Sequence, residues 1–388
     1  MNRKFFLNYF ALLLIGLISL PSLSDSLSRA RDIGIPFEGV TGSLNAITDV
    51  RGVKVGHKSV IHDLPNNKAA RTGVTAILPR GENTLHQPVF AGWFSLNGNG
   101  EMTGTTWIEE SGFLEGPVVL TNTHSVGVVH DALIRWRVAK SDPDTSGYWW
   151  SLPVVAETWD GYLNDINGFH VKSEHVFEAL ESASGGVIVE GNVGSGTGMI
   201  CHKFKCGIGT SSRVIEINNH KYTVGVLVQA NYGDREKLRI GGLPVGLLLT
   251  EKADATILGA IPKEAHSSII IVIATDAPLI PHQLKAIAKR ASLGLARVGS
   301  IASNSSGDIF IAFSIANNLF DGSNKKISMI ANNELTGLFG ATVNATEEAI
   351  VNALIAGRDM TGNLGHTVKA IDHSLLRDIL RQHNRLIE

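Results

Sequence analysis

The chain has 388 residues and a mass of 41.5 kDa, with 44% hydrophobic and 18% charged residues, so it can bury a large core and is not disordered by composition. Its 34 basic and 36 acidic side chains leave a net charge of −2 with no basic block to follow a phosphate backbone, which argues against a nucleic-acid partner. The 41 glycines lack a collagen period and sit beside apolar runs, so they imply tight turns and close backbone approaches; the length fits one large domain or two.

Residues 1–24 read as a secretory signal peptide. Arg3 and Lys4 form the positive start, Phe10–Leu20 a short apolar stretch, and Pro21 breaks it ahead of the small residues Ser22 and Ser24. The run is short for a membrane anchor, and no later stretch is long and apolar enough to span a bilayer. The expectation is an exported, periplasmic protein with no membrane association once the leader is removed. Beyond it, Gly116–Leu120 reads as a buried strand, Val128–Val138 and Ser173–Leu180 as helices, and Val187–Glu190, Val214–Ile217 and Tyr222–Gln229 as strands. Asn231–Gly242 and Pro262–His266 are polar and read as a mobile connector. Ser268–Ala274 is the most β-branched run of the chain, a buried strand. Pro281–Arg297 spaces Leu284, Ile287, Ala288 and Ala291 as one helical face, with Lys285, Lys289 and Arg290 opposite. Ile309–Phe313 reads as a strand, Asn333–Ala356 contains a long helix, and Asp372–His383 forms a last one. The mixture is α/β or α+β with sheets covered on both faces.

Several chemical motifs fail on context. Gly191–Gly198 holds pieces of a dinucleotide loop, but no convincing helix follows and no acidic residue ends a second strand at the required distance. There is no Gly-x-Ser-x-Gly elbow for a Ser-His-Asp hydrolase and no His-Glu-x-x-His for a zincin; His124 and His130 read as structural. Cys201 and Cys206 can pair as a disulfide or stand as two buried thiols, and with His202 they make only a weak zinc signal.

The informative stretch is Ser267-Ser268-Ile-Ile-Ile-Val-Ile-Ala-Thr-Asp-Ala-Pro278, where serine meets the start of a buried strand. A cut before Ser268 would give it a free α-amine with a pKa of about 8, able to take the proton of its own hydroxyl without a histidine. The local pattern alone favours an ordinary serine at a strand start.

This stretch, with Asn304-Ser-Ser306-Gly-Asp308-Ile-Phe-Ile, Asn45-Ala-Ile-Thr-Asp-Val-Arg-Gly-Val-Lys-Val-Gly-His57, Asn97-Gly-Asn-Gly-Glu-Met-Thr-Gly104 and Pro153-Val-Val-Ala-Glu157-Thr-Trp-Asp160, resembles the L-aminopeptidase D-Ala-esterase/amidase family, which includes the β-peptidyl aminopeptidases. The resemblance covers 29–388 in separate motifs. It implies a four-layer αββα sandwich like that of the Ntn hydrolases, self-cleavage into residues 25–267 and 268–388 within one domain, and assembly as homo-oligomers. It implies an enzyme that needs no metal or organic cofactor and releases N-terminal residues from small peptides, amides and esters with a free N-terminus. Ser268 matches the nucleophile, with the cut between Ser267 and Ser268. Ser306 matches the serine that orients the Ser268 amine and hydroxyl, and Asp308 the carboxylate that holds the ammonium form. Asn231 matches the oxyanion donor, Glu157 the partner of the substrate amine, and Trp150 a pocket aromatic. Trp159 stands where tyrosine is usual, and Cys206 where glycine is usual. Two rivals remain at this level: acyl transfer on the same fold, for which a threonine nucleophile would be expected, and an uncleaved periplasmic binding protein.

Overall fold

The computed structural model describes residues 28–140, 147–259, 267–318 and 326–388. The leader reading of 1–24 and the polar stretch Pro262–His266 lie outside the described residues. The first strands are β1 (Lys54–Leu64), β2 (Lys68–Leu78) and β3 (Val89–Gly98), followed by helix α1 (Thr105–Ser111). Next come β4 (Phe113–Leu114), β5 (Val118–Asn122), α2 (Val126–Lys140), β6 (Val154–Thr158) and α3 (Ser173–Glu181). A small hairpin, β7 (Ile200–Cys201) and β8 (Phe204–Lys205), leads into β9 (Ile208–Ile217) and β10 (His220–Asn231). Helices α4 (Val245–Lys252) and α5 (Ala255–Leu258) precede β11 (Ser267–Thr275), α6 (Pro281–Arg297) and β12 (Ser306–Ser314), and α7 (Thr336–Ile355) and α8 (His373–Gln382) end the order.

Two sheets form. One has the order β4-β3-β12-β11-β10-β9 and the other β1-β2-β5-β6. Most pairs are antiparallel; β11–β12 and β5–β6 run parallel, each joined by a crossover helix, α6 and α2 respectively. Strand alternation then sorts the core. Ile269, Ile271 and Ile273 of β11 face α6 and α7, where Leu284, Ile287, Leu338 and Ala345 meet them. Ile270, Val272 and Ala274 face the second sheet, against Val118, Leu120, Val154 and Ala156. That sheet's outer face, with Val74, Ala76, Val119 and Val155, lies under Val129 and Ala132 of α2 and Val176 and Ala179 of α3. These three cores separate four layers, helix–sheet–sheet–helix, as expected. Burial on both faces is why β11 reads as an unbroken apolar run.

Two expectations change. Val187–Glu190 is not a strand: Ile188 and Glu190 are buried and Val187 and Val189 exposed, an alternating pattern, but no neighbouring strand pairs with it. Asn231–Gly242 is not a loose connector. The Arg235 guanidinium donates to the carbonyls of Lys203 (2.8 Å) and Leu258 (2.6 Å), and Leu238 and Ile240 are buried. Cys201 and Cys206 are joined in a disulfide. Among the described residues, no helix is long and apolar enough to cross a membrane.

Candidate active site

Register places the first candidates. β11 pairs antiparallel with β10 so that Asn231 lies opposite Ser268. It pairs parallel with β12 so that Ser267 lies opposite Ser306 and Ser268 opposite Gly307. Alternation turns Ser268 and Asn231 toward the gap between the sheets, and Ser267, Ser306 and Asp308 toward the helical layer. The two adjacent serines therefore have different surroundings. Ser268 is buried, and its Oγ donates to the Ser267 carbonyl (2.6 Å) and accepts from the Gly307 N–H (3.2 Å). Gly307 has to be glycine, because a Cβ there would lie 2.4 Å from the Asn99 carbonyl oxygen of the loop that crosses it.

On the other face, Ser306 Oγ donates to Asp308 Oδ1 (2.6 Å) and lies 3.4 Å from Ser267 Oγ, which accepts from the Gly233 N–H (3.3 Å). In the intact chain Ser306 thus meets Ser267, while a backbone amide holds the Ser268 hydroxyl. Burial raises the Asp308 pKa, and the Ser306 hydroxyl works against that rise. Among the described residues Asp308 Oδ2 is buried without a hydrogen-bond partner, as is the neighbouring Tyr232 hydroxyl, whose pKa burial and the Asp308 charge push well above its usual value.

Asn231 is buried, and its Oδ1 accepts from the Ile200 N–H of the β7–β8 hairpin (2.9 Å). This makes the NH2 end the one presented as donor. Glu157, at 3% exposure, accepts from the Glu101 N–H (3.1 Å) and from the Thr123 hydroxyl. Burial raises its pKa; those two hydrogen bonds and the charge of His124 lower it, and the charge of Glu101 raises it. Gly100 links this carboxylate to the serine: a Cβ there would lie 3.1 Å from Gly307 Cα and 3.3 Å from Glu157 Oε1. The Trp150 ring packs edge-on against Trp107 at 5.0 Å and is 46% exposed. The half-buried Trp159 covers Gly161, where a Cβ would lie 2.5 Å from the indole.

The fold therefore gathers Ser267, Ser268, Asn231, Ser306 and Asp308 at the ends of three adjacent strands and brings Glu157 up to them through Gly100. Three contributors escape sequence reasoning: the Gly307 N–H, the Ile200 N–H and the Thr123 hydroxyl. Thr123 lies in a Thr-Asn-Thr-His segment that draws notice for its histidine, and backbone donors leave no residue signature. Chemically, the group offers a hydroxyl beside a carbonyl, amide donors able to receive a developing oxyanion, and a desolvated carboxylate able to hold an ammonium group.

The peptidase family S58 model matches residues 45–368. A β-peptidyl aminopeptidase of Sphingosinicella microcystinivorans is 49% identical over 394 residues, covering 97% of this chain and 98% of that protein. The L-aminopeptidase D-Ala-esterase/amidase of Ochrobactrum anthropi, described as a variant of the Ntn hydrolase fold, superposes with a TM-score of 0.85 at 48% identity, covering 92% of this chain and 99% of that one. A β-aminopeptidase of a Burkholderia species gives 0.83 at 47% identity, covering 92% and 99%.

Proposed function

The chain belongs to peptidase family S58 and is an aminopeptidase with the Ntn-hydrolase fold, and from that premise we propose that it is exported, cuts itself once between Ser267 and Ser268, and uses the Ser268 so exposed as its nucleophile. The observation that carries this reading is the Ser268 hydroxyl, 2.6 Å from the Ser267 carbonyl oxygen at the head of a buried strand with Asn231 opposite.

In self-cleavage Ser268 Oγ bonds to the Ser267 carbonyl carbon. The Ser267 C–N bond breaks, the nitrogen takes up a proton to become the Ser268 amine, and an ester remains. Water hydrolyses that ester, leaving a Ser267 carboxylate and a free Ser268. The new α-amine, with a pKa of about 8, then takes the hydroxyl proton as Ser268 attacks a substrate carbonyl and returns it to the leaving amine; water hydrolyses the resulting ester and restores the Ser268 hydroxyl. Asn231 donates to the oxyanion, a contribution of typically ~3 kcal/mol. Asp308, through Ser306, holds the α-amine in place once Ser267 has withdrawn. Glu157 binds the substrate's ammonium group, which restricts cleavage to the first residue. Substrates are small peptides, amides and esters with a free N-terminus, and the similarity to β-peptidyl aminopeptidases supports β-residues among them. The cleaved units assemble as homo-oligomers in the periplasm.

N-terminal sequencing of the smaller fragment of active protein tests the reading. It should begin at Ser268, and Ser268→Ala should leave one inactive chain. Activity in an uncut chain, or in Ser268→Ala, would refute it.

A further inference from the structure

Lys205 lies wholly inside the protein at the end of the β7–β8 hairpin, a place where a long cationic side chain is costly. Its Nζ donates to three backbone carbonyls, those of Cys206 (2.5 Å), Met199 (2.8 Å) and Gly196 (3.3 Å). Burial pulls its pKa well below the usual lysine value, yet three acceptors match the three protons of the charged form and exceed the two of the neutral amine. The Cys201–Cys206 disulfide closes the loop around its stem.

The carbonyl of Met199 and the N–H of Ile200 belong to one peptide group. Lys205 holds the oxygen of that group, and its N–H donates to Asn231 Oδ1 at 2.9 Å. A hydrogen bond donated to an amide oxygen draws electron density toward it and makes the attached N–H a stronger donor, and the Asn231 side chain is itself an amide that passes the effect from Oδ1 to its NH2. Resting on the proposed role of Asn231 as oxyanion donor, we infer that Lys205 is a positioning residue of the active site, which orients and polarises the Asn231 amide through the Met199–Ile200 peptide group. The lysine touches no substrate. Its hydrogen bond reaches the reacting carbonyl across two amides in series, at a buried position.

A double-mutant cycle on the processed enzyme tests this. Steady-state kinetics with an aminoacyl p-nitroanilide are measured for the wild type, Lys205→Met, Asn231→Ala and the double variant, with circular dichroism as the check on folding. Lys205→Met should lower kcat by on the order of tenfold with KM little changed, and should cost nothing further once Asn231 is alanine. A folded Lys205→Met enzyme with wild-type kcat, or losses that multiply in the double variant, would overturn the inference. Full activity in Asn231→Ala would instead overturn the oxyanion role on which it rests. Should Lys205→Met not fold, Lys205→Gln, shorter but still a donor, enters the same cycle under the same criteria.

Discussion

Glu157 offers a clean separation of substrate binding from the chemistry of the serine. Replacing it with glutamine removes one negative charge and keeps the shape. The Glu101 N–H still finds an oxygen, and the Thr123 hydroxyl can accept where it donated. What disappears is the charge proposed to face the substrate's ammonium, on a side chain only 3% exposed. A hydrogen bond between charged groups is worth about 1.5–3 kcal/mol, so KM for free-amine substrates should rise on the order of 10- to 100-fold, with kcat within a few-fold of wild type. Scission between Ser267 and Ser268 involves no ammonium group, so the variant should still be cut. The pH dependence carries its own sign. Burial raises the Glu157 pKa, so as pH falls the carboxylate is lost earlier than an ordinary glutamate would be, and wild-type KM should climb on the acidic side. Glu157→Gln should flatten that limb. The assay is a p-nitroanilide series from pH 5 to 9 beside a denaturing gel of the same preparations. An unchanged KM, or a variant that fails to process, would refute the assigned role.

Gly307→Ala should abolish processing and activity together, because the new Cβ would meet the Asn99 carbonyl oxygen at 2.4 Å and displace the amide that holds Ser268 Oγ; the gel and the p-nitroanilide assay report both. Ser267→Ala should still be cut ahead of Ser268, since among the described residues Ser267 Oγ meets the Gly233 N–H and Ser306 on the helical face; fragment sequencing checks the position. Three buried groups, two histidines and one aspartate acting in opposite directions, should govern stability against pH. His57 and His202, lowered to about 4, stay neutral in the fold while the unfolded chain takes up protons below about 6.5, so stability is lost as pH falls from 6.5 to 4. Asp160, raised to about 7, keeps its proton in the fold while the unfolded chain gives it up near 4, so its share is lost as pH rises from 4 to 7. Asp160→Asn should therefore melt higher than wild type at pH 8 and fall more steeply toward pH 4, as followed by thermal denaturation.

The parts of this fold that were legible in the residues are those whose burial is written locally. The β11 run is apolar on both faces because both faces are covered, and α6 shows its period and begins at Pro281, where the structure begins it. The residues do not announce β1, β2, β3 or β6 as strands: β1 mixes lysine and histidine into a half-buried surface, β2 carries Arg71, Thr72 and Thr75 into a buried one, and all four are defined by their neighbours. Val187–Glu190 differs in the opposite sense, with a strand's alternation and no partner strand among the described residues. In the site, the side chains are named through the family resemblance, since the local residues alone leave Ser268 an ordinary serine at a strand start. Gly307 and Ile200 act through amides that every residue has, and only register brings those amides to Ser268 and Asn231.

The bond proposed to break sits between strands that remain paired. β11 and β12, which would belong to the smaller piece, lie between β10 and β3 of the larger one. Scission would leave the folded sheet as it was and alter only the route back to it. Before the cut, refolding is a first-order event within one chain. Afterwards the inner strands of the sheet belong to a separate molecule, so recovery depends on concentration and competes with aggregation of exposed apolar strands. The mature enzyme would then be durable for kinetic reasons, resisting loss for as long as the sheet does not open and seldom recovering once it does.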